Sequence, residues 1–385
     1  EERKSPHVVF ILVDDLGWGD VGWHNPNNPE VQTPTMDRLG LEEGMILERH
    51  YVHNTCEGTR SSAQSGRLPV HVQTTSTVVE YVSSGIPYNM TGIAEYMKEG
   101  GYATHFVGKW NAGMATPKHT PHGRGYDTSL NYFTHENDYW SQSCLYGPCC
   151  RSFWNNPLQA NLTSSLVESF EEDGYSLENS SDLVDLWDTN GPAREVNGTG
   201  YEEFIFRDRI LDILDMHNQS DPLFLYYAPH VAHCPLQVPQ QYLDKFDFIT
   251  NDSEKCIDTT YSLPHEPYTV PNITQSCRKQ YRSMVNLLDD IIGELEAKLI
   301  EKGLWNDTLL VLTSDNGGPI DIYETGATNF GLRGGKNTDW EGGIRAAAFV
   351  SGGYIPEELR GTNLTESIHI ADWYATLPAL AGVEV

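Results

Sequence analysis

The chain has 385 residues, 39% of them hydrophobic, enough to bury a large core in one big α/β domain or two smaller ones. Its 25 basic and 54 acidic residues leave a formal net charge of −29, which repels nucleic acid, and no apolar run reaches the roughly 18 residues that a bilayer-spanning helix needs. Nucleic acid is therefore not an expected partner, and no helix is expected to cross a membrane.

Taken in order, Glu1-Glu2-Arg3-Lys4 leads directly into the apolar run Val8-Val9-Phe10-Ile11-Leu12-Val13, the start expected of a chain whose secretory leader has been removed. A continuous β-branched run of this kind predicts a strand buried on both faces of a parallel sheet. It stops at Asp14-Asp15, two carboxylates that repel each other unless a cation or hydrogen bonds compensate. Next comes Cys56-Glu57-Gly58-Thr59-Arg60-Ser61-Ser62-Ala63-Gln64-Ser65-Gly66-Arg67, compatible with a helix that opens on a cysteine and carries an arginine four residues on. From about Tyr132 to Gly200 the sequence is rich in Asn, Ser, Asp and aromatic residues and lacks periodicity, which predicts an elaborated surface insertion.

A second strand is predicted at Leu223-Phe224-Leu225-Tyr226-Tyr227, before a loop that contains His233. Val285, Leu288, Ile292, Leu295 and Leu299 recur at helical spacing, with Glu294 four residues ahead of Lys298 as a favourable surface pair. A third buried strand, Leu309-Leu310-Val311-Leu312, ends before Ser314-Asp315-Asn316-Gly317-Gly318. Polar clusters thus follow the carboxyl ends of strands, where open α/β sheets place their ligands. Asp315 and the amide oxygen of Asn316 add hard oxygen donors to Asp14 and Asp15, a set that suits Ca²⁺ or Mg²⁺ rather than zinc. Nine Asn-x-Ser/Thr sequons, from Asn89 to Asn363, and seven cysteines point to the oxidising secretory pathway. With Cys56 set aside, six cysteines remain for up to three disulfides, whose pairing spacing does not fix.

The Cys56 segment resembles the sulfatase signature, C-x-P-S-R followed by a helix ending in T-G-R. Further blocks follow in the family's order. Gly108-Lys109-Trp110-Asn111-Ala112-Gly113 resembles G-K-W-H-L-G, and Gly123-Arg124-Gly125-Tyr126-Asp127 resembles R-G-F-D. His233-Cys234-Pro235-Leu236-Gln237-Val238-Pro239 resembles H-x-P-L-Q-x-P, Ser314 to Gly318 matches S-D-N-G-G, and Leu332 to Lys336 with Trp340 to Arg345 matches L-R-G-x-K…W-E-G-G-x-R. The resemblance runs from Val8 to Val385, with arylsulfatase B-like enzymes the nearest flavour.

By that resemblance the fold is an alkaline-phosphatase-like α/β sandwich around a large mixed, mostly parallel sheet, with residues 1–385 forming the catalytic domain. It implies a hydrolase of sulfate esters in which Cys56 is oxidised to formylglycine over one Ca²⁺ ion held by Asp14, Asp15, residue 56, Asp315 and Asn316. Arg60 would favour the ionised nucleophile, and Lys109, His233 and Lys336 would surround the sulfate of a glycan or small molecule. Asp372 to Val383 resembles the helix that leads into the family's small C-terminal subdomain, so a second chain is an expected partner at the sheet edge left bare. Secreted and lysosomal addresses both follow from the secretory features.

Two positions depart from the family pattern. Gly58 stands where the signature has proline or alanine, and Asn111 where the family has a histidine resembling a general base. An amide cannot accept a proton at neutral pH. The sequence therefore also supports a catalytically impaired pseudoenzyme that binds calcium and sulfated glycans, or a structural extracellular glycoprotein.

Overall fold

A computed structural model of the chain describes residues 5–72, 85–114, 116–142, 185–250, 277–320 and 326–385. Within them lie strands β1 (His7–Val13), β2 (Met45–Tyr51), β3 (Ala103–Lys109), β4 (Thr128–Tyr132), β5 (Trp187–Asp188), β6 (Gly191–Pro192), β7 (Leu223–Ala228), β8 (Thr308–Ser314), β9 (Arg345–Ala346), β10 (Phe349–Ser351) and β11 (Thr362–His369). They form one sheet in the order β11-β2-β10-β8-β1-β7-β3-β4-β5-β6, with β9 beside β2. The centre, β8-β1-β7-β3-β4, is parallel throughout, while β10, β9, β5 and β6 pair antiparallel with their neighbours.

The three strands predicted from apolar runs are β1, β7 and β8, and each is fully buried. Their continuous hydrophobicity has a simple cause. Val9, Ile11 and Val13 of β1 face one core, lined by the helices Pro34–Leu41, Glu202–Met216 and Cys277–Glu301. Val8, Phe10 and Leu12 face a second core under the helices Cys56–Ser65, Ile93–Glu99 and Trp373–Leu380. Each large aliphatic side chain so covered contributes about 1.5–3 kcal/mol. Val285, Leu288, Ile292, Leu295 and Leu299 all enter the first core, as their spacing predicts. The Glu294–Lys298 pair gives way to contacts outside that spacing: Lys298 reaches Asp215 and Glu301, and Glu294 reaches Arg207. Two of these partners sit on the Glu202–Met216 helix, so the charges join two helices besides pairing within one.

Of the two ends of the segment read as a surface insertion, residues 132–142 lie largely inside the molecule, whereas most residues from 188 to 200 are half-buried or exposed. Tyr132, Phe133, Asn137, Tyr139, Leu186 and Trp187 are buried, and β5 and β6 extend the sheet. Residues 143–184, which carry the cysteine cluster at 144–150, fall outside the described residues.

His50 of β2 is fully enclosed between Trp373, whose indole N–H donates to Nε2 at 2.9 Å, and the Thr313 hydroxyl, 3.1 Å from Nδ1. Burial, helped by His369, pushes its pKa down to about 3. The folded value lies below the unfolded one, so the stability tied to neutral His50 is complete above about pH 6.5 and is lost as pH falls toward 3. Urea unfolding at pH 7 and pH 5 is expected to show a decrease to which His50 contributes about 1.4 kcal/mol per pH unit below 6.5. Substituting His50→Gln should remove that share of the slope, and an unchanged slope would refute the assignment.

Candidate active site

The parallel register aligns Val13 with Ser314, so Asp14-Asp15 and Asp315-Asn316 leave adjoining strand ends side by side. Asp15 turns the chain with a φ of 60°, a left-handed conformation that aspartate tolerates better than most side chains. Its amide donates to Asp315 Oδ1 at 3.2 Å, and Asn316 Nδ2 donates to Asp15 Oδ1 at 2.6 Å and to the Gly317 carbonyl at 2.9 Å. These two bonds fix which way the Asn316 amide points. Its Oδ1 is buried and accepts no hydrogen bond from the described residues.

Cys56 is the first residue of the Cys56–Ser65 helix, and Arg60 follows one turn later on the same side. The Cys56 thiol lies 3.4 Å from Asp14 Oδ1. Arg60 Nε and Nη2 straddle Asp315 Oδ2 at 2.9 and 2.8 Å, while Nη1 donates to the Lys109 carbonyl at 2.9 Å. Lys109, the last residue of β3, places Nζ 2.5 Å from Asp14 Oδ2. Lys336 places its own Nζ 2.7 Å from Asp15 Oδ1, and His233 Nε2 is 3.7 Å from Asp15 Oδ2. Three carboxylates thus meet three cationic side chains and a histidine, none more than 8% exposed.

Electrostatics follow from this enclosure. Burial, then the Asp14 and Asp315 carboxylates, push the Cys56 thiol well above its usual range, so the unmodified side chain is a thiol and a poor nucleophile. Burial opposes charge on Lys109 and Lys336, but Asp14 beside the first and Asp15 beside the second hold both ammoniums above their ordinary values. Burial, reinforced by Lys336 and Lys109, pulls His233 well below the usual histidine range, leaving a neutral ring.

Asp14, Asp15, Cys56, Arg60, Lys109, His233, Asp315, Asn316 and Lys336, all singled out from sequence, meet in this cluster. Asn111 lies two residues past Lys109, is buried, and has a φ of 45°. Gly58 is in the first turn of the Cys56–Ser65 helix. A Cβ there would lie 3.0 Å from His53 Cβ and 3.3 Å from Pro69 Cγ, so neighbouring side chains close over the position where the signature has a larger residue. Sequence reasoning missed Glu202, Glu203 and His230. Glu203 Oε1 accepts from the amides of His230 and Val231 at 2.6 and 3.1 Å, and Glu202 Oε2 meets His230 Nδ1 at 2.9 Å. This pair clamps the loop that carries His233. Two acids opening a helix read as favourable macrodipole partners, and nothing in their spacing tells that both point inward.

The donor set fits a hard cation. Asp14, Asp15 and Asp315 offer carboxylate oxygens, and the orphaned Asn316 Oδ1 offers a fourth oxygen at the same strand ends. Donor atoms of Asp14, Asp15, Cys56 and His233 also lie within 4.8 Å of one another.

The Sulfatase family profile matches residues 6–383. Arylsulfatase J of Mus musculus is 31% identical over 380 residues, covering 98% of this chain and 53% of its own length. N-acetylgalactosamine-6-sulfatase of Mus musculus is 26% identical over 394 residues, covering 99% of this chain and 63% of its own length. The chain therefore spans between about half and two-thirds of these curated relatives. The crystal structure of Ps i-CgsB in complex with k-i-k-neocarrahexaose is similar at a TM-score of 0.74 and 25% identity, covering 99% of this chain and 73% of that one.

Proposed function

The chain belongs to the sulfatase family, and from that premise we propose that it hydrolyses sulfate esters at the cluster around Cys56. Its fold is the family's alkaline-phosphatase-like α/β sandwich, with a large mixed sheet flanked by helices. The observation that carries the proposal is the enclosure of three carboxylates, Arg60, Lys109 and Lys336 around a cysteine at a helix start.

In this reading Asp14, Asp15, Asp315 and Asn316 would hold one calcium ion, whose charge favours the ionised form of an oxygen at residue 56. Oxidation of Cys56 to formylglycine would supply that oxygen as an aldehyde hydrate. Arg60 fixes Asp315 and the Lys109 carbonyl, and so sets the spacing between the two strand ends and β3. Lys109 and Lys336 donate to the sulfate and balance the charge that grows on the ester oxygens. Neutral His233 adds a donor or acceptor beside Asp15. The substrate is a sulfated glycan or small sulfate ester, and an oligosaccharide bound to a structural neighbour supports the glycan.

Passage through the secretory pathway is supported by the sequons at Asn89, Asn218, Asn306 and Asn363, whose asparagines are exposed, and by Cys277, which is disulfide-bonded. Cys56 and Cys234 carry thiols. A second reading, a slow or inactive relative that binds calcium and sulfated glycans, is favoured by Asn111 and Gly58.

The test is mass spectrometry of the tryptic peptide His50–Arg60 from natively expressed protein after alkylation, together with an assay of sulfate release. A peptide that lacks the alkylated cysteine and carries the aldehyde or its hydrate, with measurable release, is the expected result. A fully alkylated Cys56 would overturn the hydrolase reading and leave the binding one.

A further inference from the structure

A cavity of about 530 Å³ opens where β3 begins, with Ala103 and His105 in its wall. Lys109 ends the same strand, so the cavity lies at the opposite edge of the sheet from the Cys56 cluster and is a separate site. The Glu202–Met216 helix forms a second wall with Arg209, Asp212, Ile213 and Met216, and the turn after it closes the cavity with Asn218. Asn218-Gln219-Ser220 is one of the sequons. We propose that this cavity is a carbohydrate site whose occupant is the chain's own N-linked glycan: the first N-acetylglucosamine, carried by Asn218, lies in it against Met216 and Ile213.

The charges in the lining favour a neutral ligand. Arg209 is spent on Asp188, which it grips through two nitrogens, and Asp221 Oδ2 accepts from Asn218 Nδ2 at 3.0 Å. His105 Nδ1 lies 2.7 Å from the Thr128 hydroxyl, and burial pulls the ring down to about 4, so it is neutral at pH 7. The His105 ring and Asp212 remain as polar partners for hydroxyl and amide groups, and Ala103, Ile213 and Met216 offer an apolar wall. That mixture suits a sugar ring with an acetamide methyl. Met216, two residues before the acceptor asparagine, is 78% exposed. A sugar face laid on it removes apolar surface from water, which favours docking over a glycan extended into solvent.

The attachment point is held beside the cavity. Asn218 Oδ1 accepts from the Ser220 amide at 3.3 Å, and the Asp221 amide donates to the Asn218 carbonyl at 2.9 Å. Gln219 Nε2 donates to the Lys302 carbonyl at 2.8 Å, which ties the turn to the end of the neighbouring helix Cys277–Glu301. Attachment joins Asn218 Nδ2 to the anomeric carbon of N-acetylglucosamine supplied as a lipid-linked oligosaccharide diphosphate. The carbon–oxygen bond to the diphosphate breaks, the lipid diphosphate leaves, and Nδ2 gives up one proton. Nδ2 keeps its other hydrogen and with it the bond to Asp221, so the sugar departs from a carboxamide fixed at both of its polar atoms.

This inference rests on passage through the secretory pathway and is independent of sulfate hydrolysis. The test uses the full chain secreted from eukaryotic cells. Enzymatic glycan release in heavy-oxygen water, followed by peptide mapping, marks each occupied asparagine. Native protein is then treated with dilute hydrogen peroxide, and sulfoxide at Met216 is followed in wild type and in Ser220→Ala, which removes the sequon but none of the cavity lining. The expected result is an occupied Asn218 and a Met216 that oxidises several-fold more slowly in wild type than in Ser220→Ala. Ala103→Leu, which narrows the cavity from the strand side, should restore fast oxidation in the glycosylated protein, with its urea midpoint confirming the fold. An occupied Asn218 with equal rates in wild type and Ser220→Ala would overturn the proposal, because the glycan then stands clear of Met216. A slow rate that Ala103→Leu leaves unchanged would overturn the placement in the cavity. An unoccupied Asn218 beside occupied Asn89, Asn306 or Asn363 would overturn it too and leave the secretory reading standing, whereas four unoccupied sites would end both.

Discussion

Replacing Asn111 with histidine is expected to raise the steady-state rate of sulfate release by about 10²–10⁴, the usual worth of a general base. In the proposed reading Asn111, two residues past Lys109, stands where the family pattern has a histidine, and its amide accepts no proton at neutral pH. The backbone permits the change. A φ of 45° is left-handed, a region enriched in asparagine and histidine alike, so the substitution does not add the strain a β-branched residue would suffer. The wild-type chain should show a burst of alcohol product from an activated aryl sulfate followed by a slow phase, because ester cleavage does not need the missing base whereas expulsion of sulfate does. In Asn111→His the slow phase should approach the burst rate. A variant no faster than wild type, or a wild type without a burst, would show that residue 111 is not the limiting group.

Removing Arg60 is expected to cost about 3–5 kcal/mol of folding stability, the range for breaking a buried ion pair from one side. Arg60 is 2% exposed, holds Asp315 through two nitrogens and lies 3.7 Å from Asp14. Without it, two buried carboxylates lose a partner, and the Lys109 carbonyl loses the donor at 2.9 Å. Urea unfolding of Arg60→Ala against wild type, both in calcium-free buffer, reads the difference directly. Arg60→Lys keeps the charge but not the planar fork, so it should recover only part of the loss. If Arg60→Ala loses less than about 1 kcal/mol, the value of a surface pair, the cluster is more hydrated than its enclosure implies. Saturating calcium should narrow the gap between variant and wild type, since a cation among Asp14, Asp15, Asp315 and Asn316 offsets part of the missing charge.

These expectations meet at one physical feature, a cluster whose charges are nearly balanced and almost wholly shielded from water. The same balance explains why the chain's net charge of −29 says little about its substrate: the excess acid lies elsewhere, while the pocket itself sets Arg60, Lys109 and Lys336 against three carboxylates.

The amino-acid sequence by itself determined the central strands, because β1, β7 and β8 are covered on both faces and had to be apolar throughout. It determined the long helix at Cys277–Glu301 for the matching reason that one stripe meets the core. It also determined most of the site, since polar residues that end buried parallel strands must gather at one edge of the sheet, and Asp14, Lys109 and Asp315 did so. Only the tertiary structure decided the rest. Residues 132–142 looked like surface because they are polar and aperiodic, yet most of them are buried, and the Phe133 amide donates to Asp185 at 3.0 Å. Glu202 and Glu203 turn inward to hold the loop of His230 and His233, and Cys234 meets Glu136 across 98 residues of chain. Local patterning reports which face of an element is covered, whereas partners far apart in sequence are selected by how the elements pack, and no spacing rule along the chain encodes that distance.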